Sequence, residues 1–284
     1  MTPTPARAPT PWRTVGARAG SYGVLGLALA VAVALGTPGI AGLSIVLGAI
    51  GLVEWSRLAD LPLHHRIALQ VANVVILTLV AWLGAGAAEW IVGGTILAGL
   101  AWPVVRADPS RAMRDLGFAA LGVILLPGLL AHGVALSVEH GPAGAATFAA
   151  LAVAVALSDV GAFLVGRRYG QTPLAARLSP NKTRAGVAGN LAGAAIGILV
   201  FAPVLEPAFG VPFVILLIPL VAAGAVWGDL LESAAKREAG VKDAAGWLPG
   251  FGGILDRIDS LLVTLPLAFW TLRLLELVRG GAGA

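Results

Sequence analysis

Charge is nearly absent from long stretches of this chain, and that limits its folds more than any single motif does. From Ser21 to Val53 there is no Asp, Glu, Lys or Arg. Further apolar stretches follow at about 67–84, 90–105, 116–138, 145–165, 186–205, 210–228 and 258–278, and Thr37-Pro38-Gly39 divides the first into 21–36 and 39–53. A helix of about 20 apolar residues crosses the roughly 30 Å hydrocarbon core of a bilayer. Inside that core every backbone N–H and C=O must find its partner within the protein, which a helix achieves alone. The sequence therefore predicts an all-α fold, a polytopic transmembrane helical bundle of about nine spans.

Composition agrees. Of 284 residues, 58% are hydrophobic and 12% charged, against about a quarter charged in soluble domains, and the mean hydropathy is +0.88. The pI near 10.1 does not imply nucleic-acid binding, because the net charge is only +4 and the basic residues sit in short loops between apolar runs. Such a distribution reads as topology, since cytoplasmic loops retain Lys and Arg. With the N-terminus in the cytoplasm, 17 of the 19 basic residues fall on the cytoplasmic side, all but Arg273 and Arg279. The opposite loops carry acids such as Glu89, Glu139 and Glu206. Residues 1–20, rich in Pro, Ala, Thr and Arg, read as a solvated tail, and the long apolar run after them lacks the short core of a cleaved signal peptide. No cysteine is present, so a metal would be held by oxygen or imidazole, which favours Mg²⁺ over Zn²⁺.

Many of the 38 glycines recur with alanine inside the spans, as in Gly186-Val-Ala-Gly189 and Gly193-Ala-Ala-Ile-Gly197. Small residues at this spacing let helices approach closely. Gln70, Asn73 and Asn190 read as interhelical hydrogen-bonding residues, and His64, His65, His132 and His140 as scattered structural or solvated groups.

Ionisable residues at membrane depth are costly and mark candidate sites. Two regions qualify. One starts at Asp159, seven residues before Gly166-Arg167-Arg168 and so about 10 Å inside the end of its span, and continues into Ser179-Pro-Asn-Lys182-Thr-Arg-Ala-Gly186. The other runs from Gly228-Asp229 through Glu232-Ser233, Lys236-Arg237 and Lys242-Asp243 to Gly252-Gly253 and Asp256-Arg257-Ile258-Asp259. On a continuous helix Asp229, Ser233 and Lys236 stack at i, i+4 and i+7, and Asp256 and Asp259 share a face at i, i+3. Facing carboxylates repel unless a cation separates them, and Mg²⁺ held by a few carboxylates and phosphate oxygens suits that pattern. The interspersed bases and the Gly250–Gly253 turn suit phosphates. The bland alternative is a set of juxtamembrane charges meeting lipid headgroups, with Asp256-Arg257 a local ion pair.

These residues carry a family resemblance. Over the 27 positions from Ser233 to Asp259 the spacing of Ser233, Lys236-Arg237, Lys242-Asp243, Gly252-Gly253 and Asp256-Arg257-Ile258-Asp259 resembles the C-terminal motif of the CdsA-type phosphatidate cytidylyltransferase (CDP-diacylglycerol synthase) family. Gly228-Asp229-Leu-Leu-Glu232 resembles the family's lead-in, and Asp159-Val-Gly-Ala-Phe163, Gly166-Arg167 and Ser179-Pro-Asn-Lys182-Thr183 resemble its upstream segments. The chain departs from the pattern at Phe251, where the family has His, and at Arg184-Ala185-Gly186, where it has Trp-Glu-Gly.

The resemblance implies transfer of a cytidylyl group from CTP to phosphatidate, giving CDP-diacylglycerol and pyrophosphate. It implies Asp229 and Asp256 as metal ligands, with Mg²⁺ as cofactor and room for a second cation. It assigns catalytic roles to Ser233, Lys236, Arg237 and Asp259, and substrate contacts to Ser179, Lys182, Lys242, Arg257 and Asp159. The expected arrangement is N-terminal transmembrane helices over 21–140, a C-terminal transmembrane catalytic region over 141–278 and a short tail, in a bacterial cytoplasmic membrane with the site facing the cytoplasm. The expected partners are CTP and membrane phosphatidate, with no nucleic acid, and a homodimer is allowed for. Two alternatives stay open: a CTP-dependent enzyme acting on another lipid phosphate, and a non-catalytic lipid-binding or transport paralogue. The paired broken spans of a transporter are not evident.

Overall fold

In the computed structural model, residues 11–84, 86, 93–95, 111–175, 179–238, 240 and 253–281 are described. Most of the expected span at 90–105, together with Lys242 and Phe251, lies outside them. The elements are α1 (Pro11–Ala34), α2 (Thr37–Leu58), α3 (Leu63–Leu83), α4 (Ala112–Val123), a π turn (Ile124–Gly128), α5 (Leu129–Tyr169), β1 (Pro173–Ala175), β2 (Ser179–Thr183), α6 (Arg184–Phe209), α7 (Val211–Glu238) and α8 (Leu255–Gly281).

Among the described residues the fold is all-α with one short antiparallel hairpin, β1–β2, in which Pro173 pairs with Thr183 and Ala175 with Ser179. Among the described residues six helices are long and apolar enough to cross a membrane, and Gly23–Ala34 is a shorter apolar helix. One of the six, Ala112–Tyr169, runs for 58 residues. Straight, it would be about 87 Å long, nearly three bilayer cores. It folds back at Gly141, whose φ of 53° breaks the helix just before Pro142. A methyl added to Gly133 would lie 2.6 Å from the Phe148 ring, whereas residues fifteen apart on a straight helix are about 22 Å apart. The chain is therefore a helical hairpin here.

Contacts define two ends of the bundle. At one end Trp55 donates to the Phe118 carbonyl across 2.8 Å, and Glu54 meets the start of α8. Arg57, Arg66, Arg114, Arg167, Lys236 and Arg257 all lie within one or two turns of the helix termini gathered there. At the other end Thr37 donates to the Ser137 carbonyl at 2.9 Å and Arg273 pairs with Glu139 at 2.5 Å. These six of the bases that the sequence places on one side thus lie at one end of the bundle. Between the ends Phe148, Leu151, Ile198, Phe213 and Leu217 are fully buried, while Leu199, Val200, Ile215 and Trp227 face outward, as lipid-facing side chains do.

The closest seam joins α5 to α6. Gly189 and Gly161 each pack against the other's carbonyl group, and Gly193 packs on the backbone of Leu157 and Ser158. The polar residues of α3 serve α2: Gln70 donates to the Ala49 carbonyl at 2.9 Å and Asn73 to that of Ile45 at 3.0 Å.

A side chain on Gly193 would place its Cβ 2.8 Å from the Ser158 Cα, backbone against backbone. Replacing glycine by alanine in a helix normally gains up to about 1 kcal/mol. We expect Gly193→Ala to lower the thermal unfolding midpoint in detergent instead, by overpacking worth about 1–3 kcal/mol. Gly42→Ala, where nothing lies within 4 Å, should not.

Candidate active site

The site forms where four parts of the chain meet. The hairpin comes first. Thr183 ends β2 and caps α6, its Oγ1 accepting from the Gly186 N–H at 3.1 Å, and Gly166 and Gly170 at the end of α5 leave room for that side chain. The docked hairpin carries Lys182 to α7, where its Nζ forms an ion pair with Asp229.

The second part is the crossing of α7 and α8. Gly228 packs on the backbone at Asp259 and Ser260, and Ser260 Oγ donates to the Ala225 carbonyl at 2.9 Å. Because residue 228 has no side chain, the next turn of α7 is drawn against the first turn of α8. Asp229, Glu232 and Asp259 consequently offer carboxylate oxygens that all lie within 4.8 Å of one another. Glu232 and Asp259 are buried, and Glu232 Oε1 has no hydrogen-bond partner.

Just beyond, Lys236 Nζ bridges Glu232 Oε2 at 2.6 Å and Asp256 Oδ1 at 2.7 Å. Asp256 Oδ2 accepts from the Gly253 N–H at 2.6 Å. The face of α7 turned to α8 is therefore Asp229–Glu232–Lys236, at i, i+3 and i+7. Ser233 is half-buried beside it and Arg237 is exposed.

The third part is Glu54 near the end of α2. It is wholly buried, and its two oxygens accept the Ile254 and Leu255 N–H groups at 2.9 and 2.7 Å. These are the orphan donors at the start of α8, and the positive end of the helix dipole favours an anion there. The fourth part is α5, which contributes Asp159. A polar cavity of about 470 Å³ opens between α5, the hairpin, α6 and α7, lined by Asp159, Arg167, Asn181, Lys182, Asn190 and Asp229 among others. Asp159 lies within electrostatic reach of Asp229, Lys182 and Arg257.

Of the residues singled out from the sequence, Asp159, Lys182, Asp229, Lys236, Asp256, Arg257 and Asp259 are drawn to this end of the bundle. Ser179 sits at the far end of β2, opposite Ala175, and does not line the polar cavity. Three further residues enter. Glu232 stood in the sequence motif without a role, and Glu54 looked like a loop residue because its span was expected to end at Val53. Asn190, read as a helix-pairing residue, lines the cavity with its buried Oδ1 unpartnered.

Against known proteins, residues 16–275 match the model of the cytidylyltransferase family. The chain belongs to that family. Among its relatives, the phosphatidate cytidylyltransferase of Brucella suis biovar 1 is 38% identical over 181 residues, 63% of this chain and 62% of the relative. That of Pseudomonas aeruginosa is 32% identical over 230 residues, 77% of this chain and 82% of the relative. That of Helicobacter pylori is 46% identical over 126 residues, 42% of this chain and 44% of the relative. The chain thus spans 62% of the length of the Brucella relative, a little under two thirds. The aligned family range takes in Glu54 as well as the C-terminal motif.

Removing the Glu54 carboxylate would leave two buried N–H groups unpaired, at about 1–3 kcal/mol each. We expect Glu54→Ala to lower the unfolding midpoint in detergent clearly more than Glu54→Gln, which keeps one acceptor. Equal midpoints would show that the start of α8 is held by other means.

Proposed function

We propose that the protein transfers a cytidylyl group from CTP to phosphatidate, giving CDP-diacylglycerol and pyrophosphate. The observation that carries this reading is the carboxylate cluster of Asp229, Glu232 and Asp259 beside a polar cavity holding Lys182 and Arg167. The relatives in three bacteria, each a phosphatidate cytidylyltransferase, support the choice of substrates.

The chemistry is a substitution at phosphorus. An oxygen of the lipid phosphate forms a bond to the α-phosphorus of CTP as the bond to the departing pyrophosphate breaks. That oxygen is already anionic and needs little base catalysis, so the barrier lies in bringing two polyanions together and stabilising the charge that shifts to the leaving group. Lys182 and Arg167 in the polar cavity, with Arg257 at the start of α8, supply positive charge for phosphates. Asp229 orients Lys182 by pairing with it, and Lys236 holds Glu232 and Asp256 at a fixed separation.

Three carboxylates this close repel unless a proton or cation lies among them, and the unpartnered Glu232 Oε1 leaves a lone pair to donate. Asp229, Glu232 and Asp259 fit Mg²⁺ by their all-oxygen donor set. Asp256, which the resemblance offered as a ligand, is engaged by Lys236 and Gly253, so we assign it to positioning. When bound, the metal would offset charge on phosphate oxygens.

We further propose nine spans with the N-terminus and the site on the cytoplasmic face of a bacterial membrane. The positions of 17 of 19 basic residues support that orientation. The division of Ala112–Tyr169 at Gly141 and the apolar helix Gly23–Ala34 support the number. CTP is confined to water and phosphatidate presents its headgroup at the interface, so a site at this end of the bundle meets both.

Purified protein in detergent or vesicles, given CTP, Mg²⁺ and phosphatidate, should release pyrophosphate in step with CDP-diacylglycerol. EDTA should abolish the reaction and added Mg²⁺ restore it. Asp229→Asn and Asp259→Asn should each lower the rate on the order of 100-fold or more. Pyrophosphate release no greater than that of Asp229→Asn would overturn the reading.

A further inference from the structure

A second cavity lies on the other side of Asp159. It has a volume of about 230 Å³, lies between α1, α2, α5 and α8 and is partly open, and most of its lining is apolar, with Leu29, Leu43, Leu47 and Phe148 among it. Among the described residues, Asp159 and Arg257 are its only charged lining residues. Asp159 also lines the polar cavity that holds Lys182 and Asp229, so among the described residues it is the side chain the two chambers share.

We infer that this apolar chamber seats one acyl chain of the anionic lipid substrate, with its phosphate lying at the junction beside Arg257. The inference rests on the proposed transfer to a lipid phosphate and adds where that lipid lies. Three observations fix the occupant. The largely apolar walls offer a hydrocarbon chain favourable apolar contact. A nucleotide has no use for such walls, because its phosphates and base need hydrogen-bonding partners when they leave water. Asp159 stands where the chamber joins the polar cavity and Arg257 lies within electrostatic reach of it, the order of polarity found along a phosphatidate molecule from tail to head. Arg257 supplies a guanidinium suited to a phosphate, and it sits one residue from Asp256 and two from Asp259, at the start of α8.

The chamber also has a place where it can be filled without disturbing the helices. Gly26 of α1 lies in its lining, and nothing stands within 4 Å of where its Cβ would be. Gly26 is itself exposed, so a large side chain there would stand at the rim of the chamber, where it would meet an entering lipid chain.

The test compares the parent protein with Gly26→Ala and Gly26→Phe in mixed micelles, using dipalmitoyl-phosphatidate and the short-chain dibutyryl-phosphatidate. Gly26→Phe is expected to raise KM for the long-chain lipid about tenfold, the loss when a couple of buried methylenes are expelled. KM for CTP and turnover of the short-chain lipid should stay within about twofold, and Gly26→Ala should resemble the parent. Parent-like chain-length preference in Gly26→Phe would overturn the inference.

A second measurement does not depend on that variant folding or on turnover. Parent protein is irradiated with a long-chain phosphatidate bearing a diazirine near the chain end, and labelled peptides should contain Leu29, Leu43 or Phe148. Labelling confined to other surfaces would overturn the inference. So would equal labelling by a diazirine-tailed phosphatidylcholine, which would make the chamber a general lipid site. If the parent released no pyrophosphate with any lipid, the proposed activity would fall while the labelling still decided the chamber's occupant.

Discussion

The cost of placing carboxylates out of bulk water governs the arrangement at the basic end of the bundle. Glu54, Glu232 and Asp259 are buried, and an isolated buried charge is expensive enough that each needs partners. Each has at least one, and Asp259 Oδ1 accepts the Ser260 N–H at 2.6 Å. Glu54 receives two N–H groups from the start of α8, and one oxygen of Glu232 receives Lys236. The remaining demand is concentrated among Asp229, Glu232 and Asp259, where three acids share the neighbourhood of Lys182 and Lys236. The surplus of negative charge is what makes the cluster suited to a cation.

The backbone meets this requirement through residues that have no side chain. Gly228 lets α7 touch α8 at Asp259, and Gly253 leaves space for the Glu54 carboxylate. Gly161, Gly189 and Gly193 do the same between α5 and α6, and that seam fixes Asp159 relative to the hairpin bearing Lys182. Helix association in a bilayer has no hydrophobic drive between helices and depends on close packing and interhelical hydrogen bonds. The small residues that build the bundle therefore also set the distances in its site.

Two chambers meeting at Asp159 give the molecule the polarity of the lipid it is proposed to use. The polar chamber is bounded by the hairpin, which lies outside the helical spans and carries its lysine inward on a short, docked strand. The apolar chamber is bounded by α1 and α2, helices that contribute no residue to the C-terminal motif yet enclose the start of α8. In this arrangement the N-terminal helices belong to the site as much as to the anchor.

Much of this was legible in the sequence. The apolar runs required helices, because hydrocarbon leaves backbone groups no other partner, and the small-residue spacing of Gly186 to Gly197 announced close packing. The spaced acids and bases from Asp229 to Asp259 marked the candidate site, since such charge at the membrane edge is costly. What periodicity could not decide was which neighbour on α7 faces α8: Ser233 and Glu232 lie a single residue apart, and only the packing of Gly228 on α8 turned the glutamate inward. Likewise Glu54 lies 200 residues before Ile254 in the chain, and no local pattern links a carboxylate to the N–H groups of a helix that distant. Residue types and spacings determined the solvent, the helices and the candidate chemistry. Which side chains share a cavity was decided by helix crossings, because those join segments whose separation along the chain carries no record of their contact.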